Sequence, residues 1–174
     1  MSLHERYPLV FSQGPAAVQH EFGSSALLDR ACATIENVLL RLPEEDRQYY
    51  HMAYTKEKYG GLVLVFHSPT PPWGGDKRYP AREAGPGYDP AVCDAIEKII
   101  KATEHESYTI CESCGKPGEL RMYSWCRTHC EDCFDPRAVC PEAWEGMIRI
   151  CRGGDDGQVS MLWKSTNPGV VESA

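Results

Sequence analysis

The sequence has no run of eighteen apolar residues, no apolar core in its opening Met1-Ser-Leu-His-Glu-Arg-Tyr-Pro8, and no excess of Lys and Arg over Asp and Glu in any of its four segments 1–89, 90–110, 111–140 and 141–174. A membrane-spanning helix needs about 20 consecutive apolar residues, and an export leader needs at least a short apolar core, so the expectation is a cytoplasmic protein with no membrane contact. Basic against acidic groups run 9 to 11 over residues 1–89, 2 to 4 over 90–110, 4 to 5 over 111–140 and 3 to 5 over 141–174. With a net charge of -7 spread in this way, the many phosphate contacts that general nucleic-acid binding requires have no source in any one segment. What is present suits a folded chain: 174 residues, 42% of them hydrophobic, enough to bury roughly two-thirds of the unfolded surface in one domain or one domain with a small appendage.

There are nine cysteines, an odd number, and six of them lie between Cys111 and Cys140. Odd count and clustering point away from a secreted disulfide framework and toward metal ligation in a reducing compartment. Cys32, Cys93 and Cys151 stand among apolar neighbours and read as small buried hydrophobes.

Upstream of the cluster the pattern is that of an α+β core. Residues 1–23 read as a short strand or an extended arm. Leu27, Leu28, Ala31, Ile35, Val38, Leu39 and Leu42 recur at three- and four-residue steps between Ser24 or Ser25, available as caps, and Pro43, which predicts an amphipathic helix. Tyr50, Met52 and Tyr54 alternate with more polar residues and predict a strand with one buried face, while the unbroken run Leu62-Val-Leu-Val-Phe66 predicts a strand covered on both faces. The two pair around Lys56 to Gly61. Asp89-Pro90 opens a second helix, with Val92, Ile96, Ile99, Ile100 and Thr103 on one face, running to about Glu104 and packing on the same sheet.

Between these elements, residues 67–90 hold six prolines and four glycines, which makes them a long irregular connection and a candidate binding loop. Trp73, Tyr79 and Tyr88 are interleaved there with Lys77, Arg78 and Arg82. Those six are the candidate contacts for an acidic or aromatic partner.

The sharpest chemical signal is Cys111-Glu-Ser-Cys114-Gly115 followed by Cys130-Glu-Asp-Cys133, a C-x2-C-x15-C-x2-C arrangement. Two residues between paired thiolates let both sulfurs reach one ion at about 2.3 Å, and the intervening segment is long enough to fold back and close a tetrahedron. Gly115 permits the backbone angles of a knuckle whose amides donate to sulfur. Four soft ligands in a closed site select zinc, with iron in the same cage as the other ion. A Cys3His set using His129, or a ligand shifted to Cys126 or Cys140, remains open at this stage. With all four positions filled by thiolates and none left for water, the expected zinc is structural and contributes folding energy to a segment too small to fold on apolar burial alone. Leu120, Met122 and Tyr123 fit a short strand or hairpin between the pairs, Trp125 is expected to cover the metal-side core, and Arg127 has Glu112 or Glu131 as ion-pair partners.

The expected architecture is thus α+β: a small antiparallel sheet with two packed helices over residues 1–108, a treble-clef-like or ribbon-like zinc knuckle module over 109–140, and a C-terminal β-hairpin and tail over 141–174. The hairpin arms are Met147 to Arg152 and Gln158 to Trp163, around a Gly-Gly-Asp-Asp-Gly turn that lacks the ligand spacing of a calcium loop.

Three segments, Lys56-Glu-Lys-Tyr-Gly-Gly-Leu62, Glu106-Ser-Tyr-Thr-Ile-Cys-Glu-Ser-Cys-Gly-Lys-Pro-Gly118 and Trp125-Cys-Arg-Thr-His-Cys130 with Cys133, resemble a family of small, functionally uncharacterised bacterial and phage-associated proteins. The resemblance spans approximately residues 20–134. It implies a helix before the Lys-Glu-Lys-aromatic-Gly strand region, a second helix after it, and a zinc-binding cysteine module closing the unit; it implies no activity. This chain has Ser24-Ser25-Ala26 where the family commonly has Gly-Trp before the first helix, and Cys133 where the last ligand is often His.

The expected function is a noncatalytic, zinc-stabilised protein-interaction or adaptor protein with a protein partner. A nucleic-acid-associated regulator is the second class. An enzyme using a reactive cysteine near Cys126, activated by Arg127 and His129, is the third.

Overall fold

In the computed structural model the chain is described over residues 1–138, apart from Pro15, Glu21, Trp73, residues 75–79 and Ser124. In chain order the elements are α1 (Leu3–Arg6), β1 (Ala17–Val18), α2 (Ser25–Leu39), α3 (Glu44–Arg47), β2 (His51–Lys58), β3 (Gly61–His67), α4 (Pro90–Ser107), β4 (Glu119–Met122) and β5 (Cys126–His129). The class is α+β, with a Cys-rich module after four helices, of which α2 and α4 are the long ones. The expected hairpin between Met147 and Trp163 lies outside the described residues.

α2 follows its apolar period: Leu27, Leu28, Ala31, Cys32, Ile35, Val38 and Leu39 are buried in one stripe. Each large aliphatic side chain among them stabilises the fold by about 1.5–3 kcal/mol. The expected cap is absent, however. Ser24 has helical angles and no side-chain cap bond, because a short 3-10 turn over Phe22–Ser24 feeds directly into the helix. α4 begins as its sequence dictates, with the Asp89 carboxylate accepting from Ala91 N at 2.8 Å and Val92 N at 3.0 Å, and it continues three residues past Glu104 to Ser107.

The sheet has strand order β1-β2-β3, with β1 parallel and β3 antiparallel to β2. Its hairpin turns at Tyr59 and Gly60, both left-handed, at φ 54° and 79°. Two sequence expectations need correction. Tyr54 does not share the buried face of Met52: the register skips a residue between them, so Met52 faces Phe66 but Tyr54 faces Val65. That bulge reverses the alternation, placing Thr55 in the core at 1% exposure and Tyr54 outside at 37%. Nor is β3 covered equally on both faces. Leu62 and Leu64 are buried, whereas Val63 and Val65 are half-buried on the outer side.

β3 is an edge strand, and α4 closes its edge with side chains. Leu62 N donates to Ser107 Oγ and Leu64 N to Glu104 Oε1, each at 2.8 Å. Two amides that would invite another strand are thereby satisfied within the fold. At the opposite side, the Glu36 carboxylate accepts from Leu9 N and Val10 N, and Met52 N donates to Val10 O at 2.7 Å, which anchors the N-terminal arm with Val10 and Phe11 in the core. Burial drives the Cys32 thiol up to about 12, as expected for a thiol that serves as packing.

Candidate metal centre

β4 and β5 form a short antiparallel ladder from Glu119↔His129 to Met122↔Cys126, and the two cysteine pairs sit at its open end. The first pair occupies a tight turn in which Gly115 N donates to Cys111 O and Cys111 N to Lys116 O, both at 2.8 Å. Gly115 takes φ 78°, the left-handed angle the knuckle demands. In the second pair, Cys133 N and Phe134 N both donate to Cys130 O, at 3.2 and 3.0 Å, winding Glu131–Cys133 into a 3-10 turn.

These two turns bring Cys111, Cys114, Cys130 and Cys133 together, with all four sulfurs within 4.8 Å of one another. A tetrahedron with bonds of about 2.3 Å has sulfur–sulfur edges near 3.8 Å, and Cys114 Sγ and Cys130 Sγ already lie 3.5 Å apart. The four cysteines therefore form a group that can bind one metal ion.

The local electrostatics match that role. Burial pushes the Cys111 thiol up, but backbone amides of Cys130, Cys114 and Ser113 and the Cys114 side chain outweigh it and bring the group down to about 6. Cys133, which shares hydrogen bonds with Cys114, Cys130 and Cys111, is pushed up to about 12. Sulfurs so close cannot all ionise side by side without a cation among them. Outside the cluster, Lys116 on the first knuckle bonds Asp132 on the second at 2.7 Å, a surface tie between the two halves.

A polar layer supports the sulfurs. Glu112, 4% exposed, holds Arg127 at 3.0 Å and donates its amide to Thr128 O at 2.9 Å. The His129 ring has Nδ1 2.7 Å from Tyr123 Oη and Nε2 3.2 Å from Ser113 Oγ. The His129 ring nitrogens thus face hydroxyls, with the Glu112 carboxylate 3.6 Å from Nε2, and His129 is not among the convergent ligands. Cys126 is buried on β5 at 3% exposure and is likewise outside the group. Cys140 lies outside the described residues. Arg127, one of two neighbours that would activate Cys126, is instead ion-paired to Glu112.

The module is pressed against the core at two glycines. Gly23 N donates to Glu112 O at 2.7 Å, and a Cβ at Gly23 would overlap Cys111 O and come within 2.6 Å of Gly115 N. Gly60, at the β2–β3 turn, accepts from Thr128 Oγ1 at 2.6 Å. No sequence motif flagged Gly23; its role follows only from what packs on it.

Other expected positions fare differently. Trp125 does not cover the metal-side core: it is 44% exposed and stacks on Tyr59, ring centroids 5.2 Å apart. Of the loop contacts, Trp73, Lys77, Arg78 and Tyr79 lie outside the described residues, Arg82 is exposed and Tyr88 is half-buried. The loop's far end is fixed by Tyr50, whose hydroxyl donates to Gly87 O at 2.9 Å and accepts from Asp89 N at 3.2 Å. Among the described residues no helix is long and apolar enough to cross a membrane.

No family model matches the chain, and neither a curated protein nor a solved structure matches it. The residues of the centre therefore carry the functional reading by themselves.

Proposed function

We propose that this chain is a noncatalytic, zinc-stabilised protein-interaction or adaptor protein, cytoplasmic and related to the small bacterial and phage-associated proteins whose motifs it resembles. The observation that carries the reading is the convergence of four cysteine sulfurs with no other ligating group in the set. An all-thiolate tetrahedral site favours zinc over harder divalent ions. A filled coordination shell leaves no position for substrate or activated water, so the role it supports is structural.

Zinc bound at the four cysteines would supply folding energy that the small module lacks. The chain's own residues do the rest. Knuckle amides orient the sulfurs, Lys116 and Asp132 tie the knuckles together, and Gly23 and Gly60 transmit the fixed module shape to the core.

The test is metal analysis of protein expressed in zinc-replete medium, together with unfolding in the presence of a chelator. One zinc per chain and chelator-induced loss of structure in residues 109–138 are expected. Fully folded protein without metal would overturn the reading.

A further inference from the structure

The outer face of the hairpin has a composition at odds with the rest of an acidic chain. Because of the bulge at Met52/Tyr54, β2 presents Tyr54, Lys56 and Lys58 outward, and β3 sets Val65 opposite Tyr54 and Val63 opposite Lys56. Lys56 Nζ lies 5.2 Å from the centre of the Tyr54 ring, and Lys58 Nζ lies 5.1 Å from that of Tyr59. Among the described residues neither lysine forms an ion pair with a carboxylate. Tyr59 stacks on Trp125 at an interplanar angle of 22°, which joins the face to the β4–β5 hairpin. Among the described residues, Tyr54 and Trp125 are two of the six large hydrophobic side chains left exposed.

We propose that this face, built from Tyr54, Lys56, Lys58, Tyr59 and Trp125, docks an extended acidic segment of a partner protein. This rests on the reading of the chain as an interaction protein and names the surface that reading lacks. Charge complementarity selects the occupant: two cations with no carboxylate partner among the described residues stand on a chain of net charge -7. Lysines two residues apart on a strand are about 6.6 Å apart along it, the same repeat as alternate side chains of an extended peptide. Carboxylates at alternate positions therefore meet both lysines, and the Trp125 ring at the end of the face receives an apolar residue or proline.

One feature favours a peptide over a nucleic acid: two lysines provide little of the phosphate neutralisation on which strand binding depends. The docking mode is also constrained: Ser107 and Glu104 occupy the β3 amides at Leu62 and Leu64, so the partner is held by side chains across the face and not by adding a strand at those positions. Tyr59, held at φ 54°, and its stacked neighbour offer a rigid aromatic anchor that loses little freedom on binding.

The experiment uses the full zinc-loaded chain and fluorescence anisotropy with three labelled probes: a short peptide alternating Glu with Thr and ending in Leu-Pro, the same peptide with Lys in place of Glu, and an oligothymidylate of similar length. The acidic peptide is expected to bind at least about tenfold more tightly than either other probe, a difference near 1.4 kcal/mol, and to weaken as salt rises. Lys56→Gln combined with Lys58→Gln, and separately Trp125→Ala, should each lower its affinity about tenfold or more. Zinc content and melting temperature, measured on the same samples, establish that each variant is folded. No binding of the acidic peptide, equal binding of the lysine peptide, affinity unchanged in the folded lysine variant, or tighter binding of the oligothymidylate would each overturn the proposal. Such results with zinc retained leave the zinc-stabilised fold standing, so the two failures are distinguishable.

Discussion

Thr128 Oγ1 donates to the carbonyl oxygen of Gly60 at 2.6 Å in a fully buried contact, joining the strand that leads into the second cysteine pair to the turn of the core hairpin. Thr128 has no exposure, and the Gly60 carbonyl depends on it. Replacing Thr128 with Val keeps the shape and removes the donor. The expected cost is about 1–3 kcal/mol, read as a lower denaturant midpoint of the zinc-loaded protein with metal stoichiometry unchanged. A variant as stable as the parent would show that the two parts do not depend on this bond.

Gly23→Ala tests the other junction. The added Cβ would overlap the Cys111 carbonyl oxygen and lie 2.7 Å from the Glu112 carbonyl carbon, both backbone atoms of the first knuckle. Backbone cannot swing aside as a flexible side chain does, so the knuckle or the 3-10 turn must shift. Overpacking of this kind costs about 1–3 kcal/mol, and here the displacement falls on a ligand residue. Faster zinc loss to a competing chelator is expected together with the lower melting temperature. A change in melting temperature alone would mean that the turn yields and the knuckle does not.

How much of this was legible beforehand depended on whether the signal was local. Asp89 before Pro90 and the apolar period of α2 state their own consequences, because capping and amphipathicity act within a few residues. The C-x2-C spacing does the same for the knuckles. Tyr54 misled because a bulge depends on how two strands register and leaves no mark in the alternation of one strand. Trp125 misled for a related reason: burial was inferred from residue type, whereas its ring finds Tyr59 across two turns that are distant in sequence. Gly23 was silent, since only the packed structure reveals which backbone lies against it.

Ligand assignment separates the four convergent cysteines from their near neighbour. Cys126→Ala should retain one zinc per chain, since its sulfur is outside the cluster, and should be destabilised by about 1 kcal/mol. Cys111→Ala, Cys114→Ala, Cys130→Ala and Cys133→Ala should each bind zinc more weakly, with Cys111 and Cys130 the more disruptive because they are buried. Elemental analysis after dialysis against a mild chelator provides the measurement. Metal loss in the Cys126 variant equal to that in the other four would move the ligand set to include it.

Glu104 provides a pH-dependent prediction away from the metal. Burial raises its carboxyl above the usual range, partly opposed by the amide of Leu64 that it accepts. The folded state therefore holds this proton more tightly than the unfolded state, and the associated stability is fully present below the unfolded pKa and lost as pH rises through the higher folded value. Glu104→Gln keeps an oxygen to accept from Leu64 N and removes the buried charge. Relative to the parent, the Gln variant should gain stability as pH increases from about 4 toward neutrality, with the gain levelling once the parent carboxyl is ionised in both states. Glu104→Ala leaves the Leu64 amide without its acceptor at the sheet edge, and it should lose about 1–3 kcal/mol across that range. Paired urea titrations of both variants and the parent at several pH values decide the matter: a Gln-minus-parent difference that is flat with pH would mean that Glu104 is solvated well enough to titrate normally despite closing the edge.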